Sequence, residues 1–415
     1  MQVPTPAQGT RRVGHYRRVR RIDLSALGAR IVVGLGADVD QRTEDALRHL
    51  WRDALLPSAP AGRPPDAPSP DAPSPETPDA PLPAIWVGTA PPGLPEHIPR
   101  IPADDERRLA SDLSSLVTLA AIAERAGDGL LVHACAAADA EGRVVVFVGE
   151  SGAGKSTLVA ALGRQYGYVT DEAVLIDGNG RVPPFRKPLS LVTANRCLAD
   201  KRQVASADLG MRVGSDDLSV AAVVLLDRRP DADRPFRLEP LDAVDAAQGL
   251  IPHLNRAGDD PRTLHRIARL LETTGGVSRL SYAEAAEAVH PDAGLFTRAA
   301  TLAEAGGGIR IAHLSGPAAS ARPTSGRRPG GPEVARDPRA VSLSVGERTV
   351  VHSASGLHEL SPVSAALWMA LADGALPLHA LAARIERHFG PPAGGSTSDA
   401  LLPLLHHLRQ EQILG

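Results

Sequence analysis

Lysine is nearly absent from this chain: Lys155, Lys187 and Lys201 are the only three among 415 residues, although lysine and arginine together number 45. A lysine that falls inside a motif therefore carries weight. Cysteine occurs twice, at Cys135 and Cys197, too few for a disulfide framework, so a reducing compartment fits better than export and both read as small core residues. No apolar run approaches the roughly 18 to 20 residues of a membrane span. The basic start (Arg11, Arg12, Arg17, Arg18, Arg20, Arg21) is not followed by the apolar core of a signal peptide and reads as a solvated strand edge. A formal net charge of -3 gives no general field for nucleic acid. These absences predict a soluble, cytoplasmic protein with neither membrane nor nucleic acid as partner. At this length the chain has room for two or three domains, each with its own core.

What is present is a phosphate-binding loop. Val144 to Leu162 reads VVVFVGESGAGKSTLVAAL, a strand, a glycine loop and a helix. Gly149, Gly154, Lys155 and Ser156 fit G-x-x-x-x-G-K-[ST], and Thr157 follows. Backbone N–H groups must converge on phosphate oxygens, so side chains give way to glycine, and the helix opening at Lys155 adds its positive end. The predicted nucleotide contacts are Gly149, Ser151, Gly152, Ala153, Gly154, Lys155, Ser156 and Thr157. Lys155 is expected on the β and γ phosphates and Ser156 on Mg²⁺, making ATP and Mg²⁺ the expected cofactors.

Composition divides the rest. Residues 1–56 read as a strand-helix region, with an apolar run at Ala29–Leu35 and helical spacing from Thr43 to Leu56. Residues 57–83, rich in Pro, Ala, Ser and Asp with two copies of DAPSP, read as a disordered insertion. Residues 84–314 alternate strands and helices around the P-loop, residues 315–337 read as a flexible linker, and residues 338–415 form a tail of two strands and three helices. Those helices begin near Ser361, Pro377 and Ser398, and Ser361 before Pro362 is a good helix start. Neither an LSGGQ-like signature nor an NKxD guanine motif occurs. Two carboxylate sites compete beside the nucleotide: Asp227, ending the buried run VVLLD, and the pair Asp171–Glu172 in YVTDEAVLI. Arg186 and Lys187, in the proline-bounded PPFRKPLSL, either touch phosphate or face solvent.

The block Leu130 to Ile176, LLVHACAAADAEGRVVVFVGESGAGKSTLVAALGRQYGYVTDEAVLI, resembles the core of the HPr kinase/phosphorylase family. A histidine on the strand before the P-loop and an acidic pair after the next helix match in order: His133, then Gly149 to Thr157, then Asp171 with Glu172. The resemblance implies a P-loop kinase core of the HPr kinase/phosphoenolpyruvate carboxykinase type, acting on a serine hydroxyl. It implies Asp171 as the base, His133 as support for the transferring phosphoryl group, Lys155 as a catalytic cation, and Ser156, Asp171 and Glu172 around the metal. The family carries Asp-Asp where this chain has Asp171–Glu172, and its later glycine-rich signature is not recognisable here.

The tail, from LHELSPVSAALWMAL (Leu357–Leu371) through LHALAARIERHFG (Leu378–Gly390) to the final amphipathic helix, resembles the PqqD-like peptide-recognition domain. That implies a small α+β winged-helix-like module in which a leader peptide adds a strand beside Gly356 to Leu360 and packs on the helix carrying Leu404, Leu408 and Ile413. Arg384, Arg387 and Arg409 are too sparse for a nucleic-acid face. The expected function is an ATP-dependent kinase of a ribosomally made precursor peptide. A nucleotide-dependent peptide chaperone or switch, an HPr-like protein kinase and a small-molecule kinase are the alternatives. Monomer and homo-oligomer both stay open.

Overall fold

The computed structural model describes residues 20–57, 82–192, 201–229, 236–255, 260, 262–284, 289–290, 294–305, 313–315 and 333–415. Cys197, Arg11, Arg12, Arg17, Arg18, most of the expected insertion (58–81) and most of the expected linker (316–332) lie outside these residues. The chain divides into two units: Met1–Ala126 with Pro184–Val213, and Gly127–Pro183 with Gly214–Gly415.

In the first unit, β1 (Arg21–Ala26), β2 (Ala29–Leu35), β3 (Ile85–Val87) and β4 (Arg100–Ile101) form a sheet in that order. The apolar run read from the sequence is β2. Helix α1 (Gln41–Leu50) starts where the Asp40 carboxylate accepts from the Thr43 N–H at 2.7 Å. It is shorter than the helical spacing suggested, because fully buried Trp51 caps it and the chain turns through a single 3₁₀ turn, Arg52–Ala54. Helix α2 (Glu106–Glu124) and the antiparallel pair β10 (Leu189–Val192) and β11 (Lys201–Val204) complete this unit. Arg186 and Lys187 do not face solvent. They are 9 % and 1 % exposed, and regular strand begins only at Leu189, after Pro188, which has no N–H to give a ladder.

The second unit is built on a six-stranded mixed sheet. Its strands are β6 (Ala134–Ala138), β7 (Arg143–Val148), β8 (Gly167–Thr170), β12 (Ser219–Arg228), β13 (Phe236–Leu241) and β14 (Val277–Tyr282), in the order β13-β14-β12-β7-β6-β8. β12 runs parallel to both β7 and β14, whereas β6 lies antiparallel to β7 and to β8. Val144 to Val148 are wholly buried, as expected of a central strand covered on both faces. Helices α3 (Lys155–Leu162), α4 (Ala243–Leu250), α5 (Thr263–Thr274) and α6 (Leu295–Ala305) belong to this unit, and a two-stranded sheet pairs β5 (Gly129–Val132) with β9 (Val174–Asp177).

The tail forms an antiparallel sheet, β15 (His313–Ser315), β17 (Val341–Val345), β18 (Arg348–Ser353) and β19 (Gly356–Glu359), in that order. Helices α7 (Pro362–Ala370), α8 (Leu378–Phe389) and α9 (Thr397–Gln410) start where the sequence placed them. Ser361 Oγ accepts from the Ser364 N–H at 3.2 Å, with Pro362 at the first helical position. Leu367, Trp368, Leu371, Leu381 and Ile385 pack with Leu401, Leu405 and Leu408 into the tail's helical core.

Two expectations about the linker need correction. Its last residues are part of the tail: β16 (Glu333–Val334) pairs with β20 (Leu376–Pro377), Val334 is 2 % exposed, and the Arg336 guanidinium lies 4.1 Å from the Trp368 ring centroid. Nor does the tail hang free of the P-loop core. Strand alternation puts Val341 and Leu343 on one face of the sheet, where they and Val350 join the apolar cluster of Leu264, Ile267 and Leu271 from α5. On the opposite face Ser342 Oγ accepts from the Trp368 indole N–H at 2.8 Å. Strands β17 and β18 are thus buried on both sides. Among the described residues, no helix is long and apolar enough to cross a membrane.

Candidate functional site

The loop between β7 and α3 has the shape its sequence demands. Gly149 sits so close to β12 that a Cβ there would meet the Leu226 Cβ at 2.9 Å. Gly154 caps α3 with φ +91°, a left-handed conformation open to glycine at little cost. Lys155 is 7 % exposed, and its Nζ donates to the Gly149 and Glu150 carbonyls at 2.6 and 3.1 Å, so its ammonium stands over the loop. Burial holds the Lys155 pKa below its ordinary value. Ser156 is half-buried, whereas Ser151, Gly152 and Thr157 are exposed. The Tyr282 hydroxyl of β14 donates to the Ala153 carbonyl and pins the loop from the far side.

On the other flank the antiparallel strand β6 brings up the second group of residues. His133 is the single residue between β5 and β6, where the chain passes from the two-stranded sheet into the large one. The Ala134 N–H donates to the Glu172 carbonyl at 3.2 Å, which fixes His133 beside the turn that carries Asp171 and Glu172. Burial and the Lys155 ammonium depress the His133 pKa, while Glu172 and Asp171 oppose that shift. Lys155, His133, Asp171 and Glu172 thus form one electrostatic neighbourhood, as their order in the sequence suggested. Asp171 is 5 % exposed, and the buried Tyr168 hydroxyl donates to its Oδ1 at 3.3 Å. Cys135, read as core, is fully buried beside Lys155 and Asp171, and burial raises its thiol pKa.

A cleft of about 750 Å³ lies over the loop, within the roughly 300 to 1,000 Å³ usual for small-ligand pockets. It is lined by the loop residues Gly149 to Ala153, by Asp227, Arg228 and Arg229 at the end of β12, and by His253 and Arg279. Asp227 reaches the loop because Leu225 of β12 is in register with Val148 of β7. Its Oδ2 accepts from Arg229 Nε at 2.8 Å. Sequence reasoning missed His253, which no motif flags: its place depends on pairing between segments distant in the chain. Val132 bridges to Leu254, the His133 N–H donates to the His253 carbonyl at 2.7 Å, and the Asn255 N–H donates to the Leu131 carbonyl at 2.8 Å.

These residues fit a nucleotide and its metal. The glycine loop leaves room for oxygen atoms at its N–H groups, and a buried ammonium stands above it. Mg²⁺ needs only one or two carboxylates besides phosphate oxygens and water, and Asp171, Glu172 and Asp227 are the carboxylates that could join the Ser156 hydroxyl in holding it. Among the described residues no group of three or more His, Cys, Asp or Glu is arranged to hold a metal by itself.

In the tail, β19 ends its sheet among the described residues, and its four residues are at least partly exposed. The helical side expected of a peptide groove is different. Leu408 and Ile413 are 4 % and 1 % exposed, because Leu401, Leu405 and Leu408 recur at helical spacing on the face turned to the core; Leu404 is partly buried.

A family model described as ABC transporter matches residues 138–275. The matched stretch holds the P-loop, Asp171, Glu172, Asp227 and His253, and it excludes His133 and the tail. No curated protein matches the chain. The finer likenesses, to HPr kinase and to PqqD, rest on their own residues. The similarity, the loop geometry and the mixed sheet agree on one statement: residues around 138–275 form a P-loop nucleotide-binding domain of α/β fold.

Proposed function

We propose that the protein is an ATP-dependent kinase that phosphorylates a hydroxyl, most simply serine, of a ribosomally made precursor peptide held by its C-terminal module. The convergence of His133, Asp171 and Glu172 on the Lys155 side of the loop carries this reading. Bound ATP supplies the γ-phosphoryl group, and Mg²⁺ neutralises charge on its oxygens. Lys155 and the loop N–H groups hold the phosphates, and Ser156 and Glu172 serve the metal. Asp171 orients the acceptor hydroxyl and takes its proton, with His133 supporting the transferring group. The open edge of β19 supports the peptide half: an extended leader adds a strand there through backbone hydrogen bonds. Leu408 and Ile413 are left to the core, so side-chain selection falls to Leu404 and the partly exposed residues of β19.

The deciding experiment incubates the full chain with γ-labelled ATP and precursor peptides that carry or lack their leader. Label on the leader-bearing peptide sustains the proposal; label only in free phosphate rejects it. Asp227 favours a second reading, ATP hydrolysis without transfer, because it stands at the end of the strand beside the loop, within the stretch similar to ABC transporters. In that case Asp227→Asn, rather than Asp171→Asn, abolishes turnover.

A further inference from the structure

Beyond the phosphate-binding loop itself, the geometry points to His253 as the residue that contacts the terminal phosphoryl group and so distinguishes a nucleoside triphosphate from a diphosphate. The inference rests on the P-loop reading alone and needs no kinase activity.

His253 is held in place by its backbone. The 3₁₀ turn Ile251–His253 follows α4 directly, and residues 253 to 255 then run alongside β5. They are fastened there by the His133 N–H to the His253 carbonyl at 2.7 Å and the Asn255 N–H to the Leu131 carbonyl at 2.8 Å. The side chain is half-buried and lines the cleft together with Gly149, Glu150 and Gly152 of the loop. Asp171, by contrast, is 5 % exposed, accepts from the Tyr168 hydroxyl and is not among the residues that line this cleft.

Charge around the ring favours an anion. Glu150 of the loop, Asp227 and Arg228 of β12, Arg229 just beyond that strand and Arg279 of β14 line the same cleft, and the Lys155 and His133 charges act on the ring from beside it. Asp227 is already engaged by Arg229. Burial first, then Lys155 and His133, hold the ring's pKa below its ordinary value, with Glu150 opposing. At neutral pH the ring is therefore uncharged, with one N–H available to donate. A phosphate oxygen beyond Lys155 accepts from such a donor, and its charge draws the ring back toward protonation. A β-phosphate held in the glycine loop is already met by backbone donors, whereas a γ-phosphate extends outward into the cleft.

The test uses the full chain with ring-¹⁵N histidine, titrated with a non-hydrolysable Mg·ATP analogue and with Mg·ADP. His253→Gln is used to assign the resonance. The expected result is a rise in the His253 ring pKa with the triphosphate and little change with the diphosphate. His253→Ala should weaken triphosphate binding about tenfold, the effect of one hydrogen bond to a charged group, and leave diphosphate affinity unchanged. His253→Gln, which keeps an N–H donor, should recover most of that loss. Equal ring responses to both nucleotides, or no response to either, overturn the inference. So does an alanine variant that binds both nucleotides as the unmodified chain does. Whether label reaches a peptide or only water decides the kinase reading separately, because every readout here is binding.

Discussion

The guanidinium of Arg348 donates to the Asp242 carboxylate at 2.6 Å, joining a strand of the C-terminal module to the N-cap of a helix in the P-loop core. The same guanidinium reaches Asp245 at 2.9 Å and Glu359 at 2.8 Å, and Gln248 donates to Glu359 at 2.8 Å. Edge strand β19 and helix α4 therefore share one polar network, and α4 leads straight into the turn that carries His253.

This network should contribute modestly to stability, because its charges are more than one-third exposed and solvent screens them. Arg348→Ala is expected to cost about 1 kcal/mol, read from chemical denaturation at low salt, with a smaller loss at high salt. A loss independent of salt would assign the effect to packing instead.

The larger effect should come from the apolar face beneath it. Ending the chain at residue 332 removes Val341, Leu343 and Val350 and uncovers Leu264, Ile267 and Leu271. The truncated chain is expected to melt lower, bind a hydrophobic dye and self-associate in gel filtration. A monomeric, dye-free fragment with unchanged melting would mean that the module is only tethered.

At the loop, Lys155→Ala removes the buried ammonium and its two hydrogen bonds to the loop carbonyls. Nucleotide affinity and turnover should both collapse while the circular dichroism spectrum persists. Asp171→Asn keeps the size and loses the carboxylate proposed as proton acceptor. Nucleotide should still bind, and turnover should drop by about a hundredfold or more in a single-turnover assay.

Stability should fall on the acid side of neutrality. Burial depresses the pKa of His133, His253, His265 and His352 below the ordinary value of 6.5. The unfolded chain takes up those protons near pH 6.5, whereas the folded chain resists them until lower pH, so acid favours unfolding. Full stability is expected above about pH 6.5 and progressive loss below it, measured as melting temperature against pH. Replacing His352 by Gln should flatten the curve if the fold holds, since His352 is 3 % exposed and lies away from the nucleotide cleft.

The stack of Arg336 on Trp368 gives a separate check on where the module begins. Burial lowers the Arg336 pKa to about 10, and its Nε donates to the Trp368 carbonyl at 2.8 Å. Arg336→Ala should destabilise the chain by about 2 kcal/mol, through the lost cation–π contact and the carbonyl left without that donor. A neutral substitution would return residues 333–337 to the linker.

The sequence by itself determined the local chemistry. Gly149, Gly154, Lys155 and Ser156 stand at fixed spacing because the loop closes around a phosphate through contiguous backbone, and Ser361–Pro362 starts a helix through its own side chain and ring. Strand β2 and the tail helices were legible because hydrophobic periodicity is a local property. Tertiary structure alone decided the rest. Arg186 and Lys187 are buried although both are charged, and Leu408 and Ile413 turn into a core rather than a groove. Val341 and Leu343 pack on a helix some 70 residues earlier in the chain. His253 reaches the nucleotide cleft because residues 253 to 255 pair with β5, more than a hundred residues away in sequence. A pattern in sequence shows that a face is apolar or that a donor exists. Which surface covers that face, and which distant carbonyl meets that donor, is set by long-range burial and backbone pairing, and these leave no periodic mark on the chain.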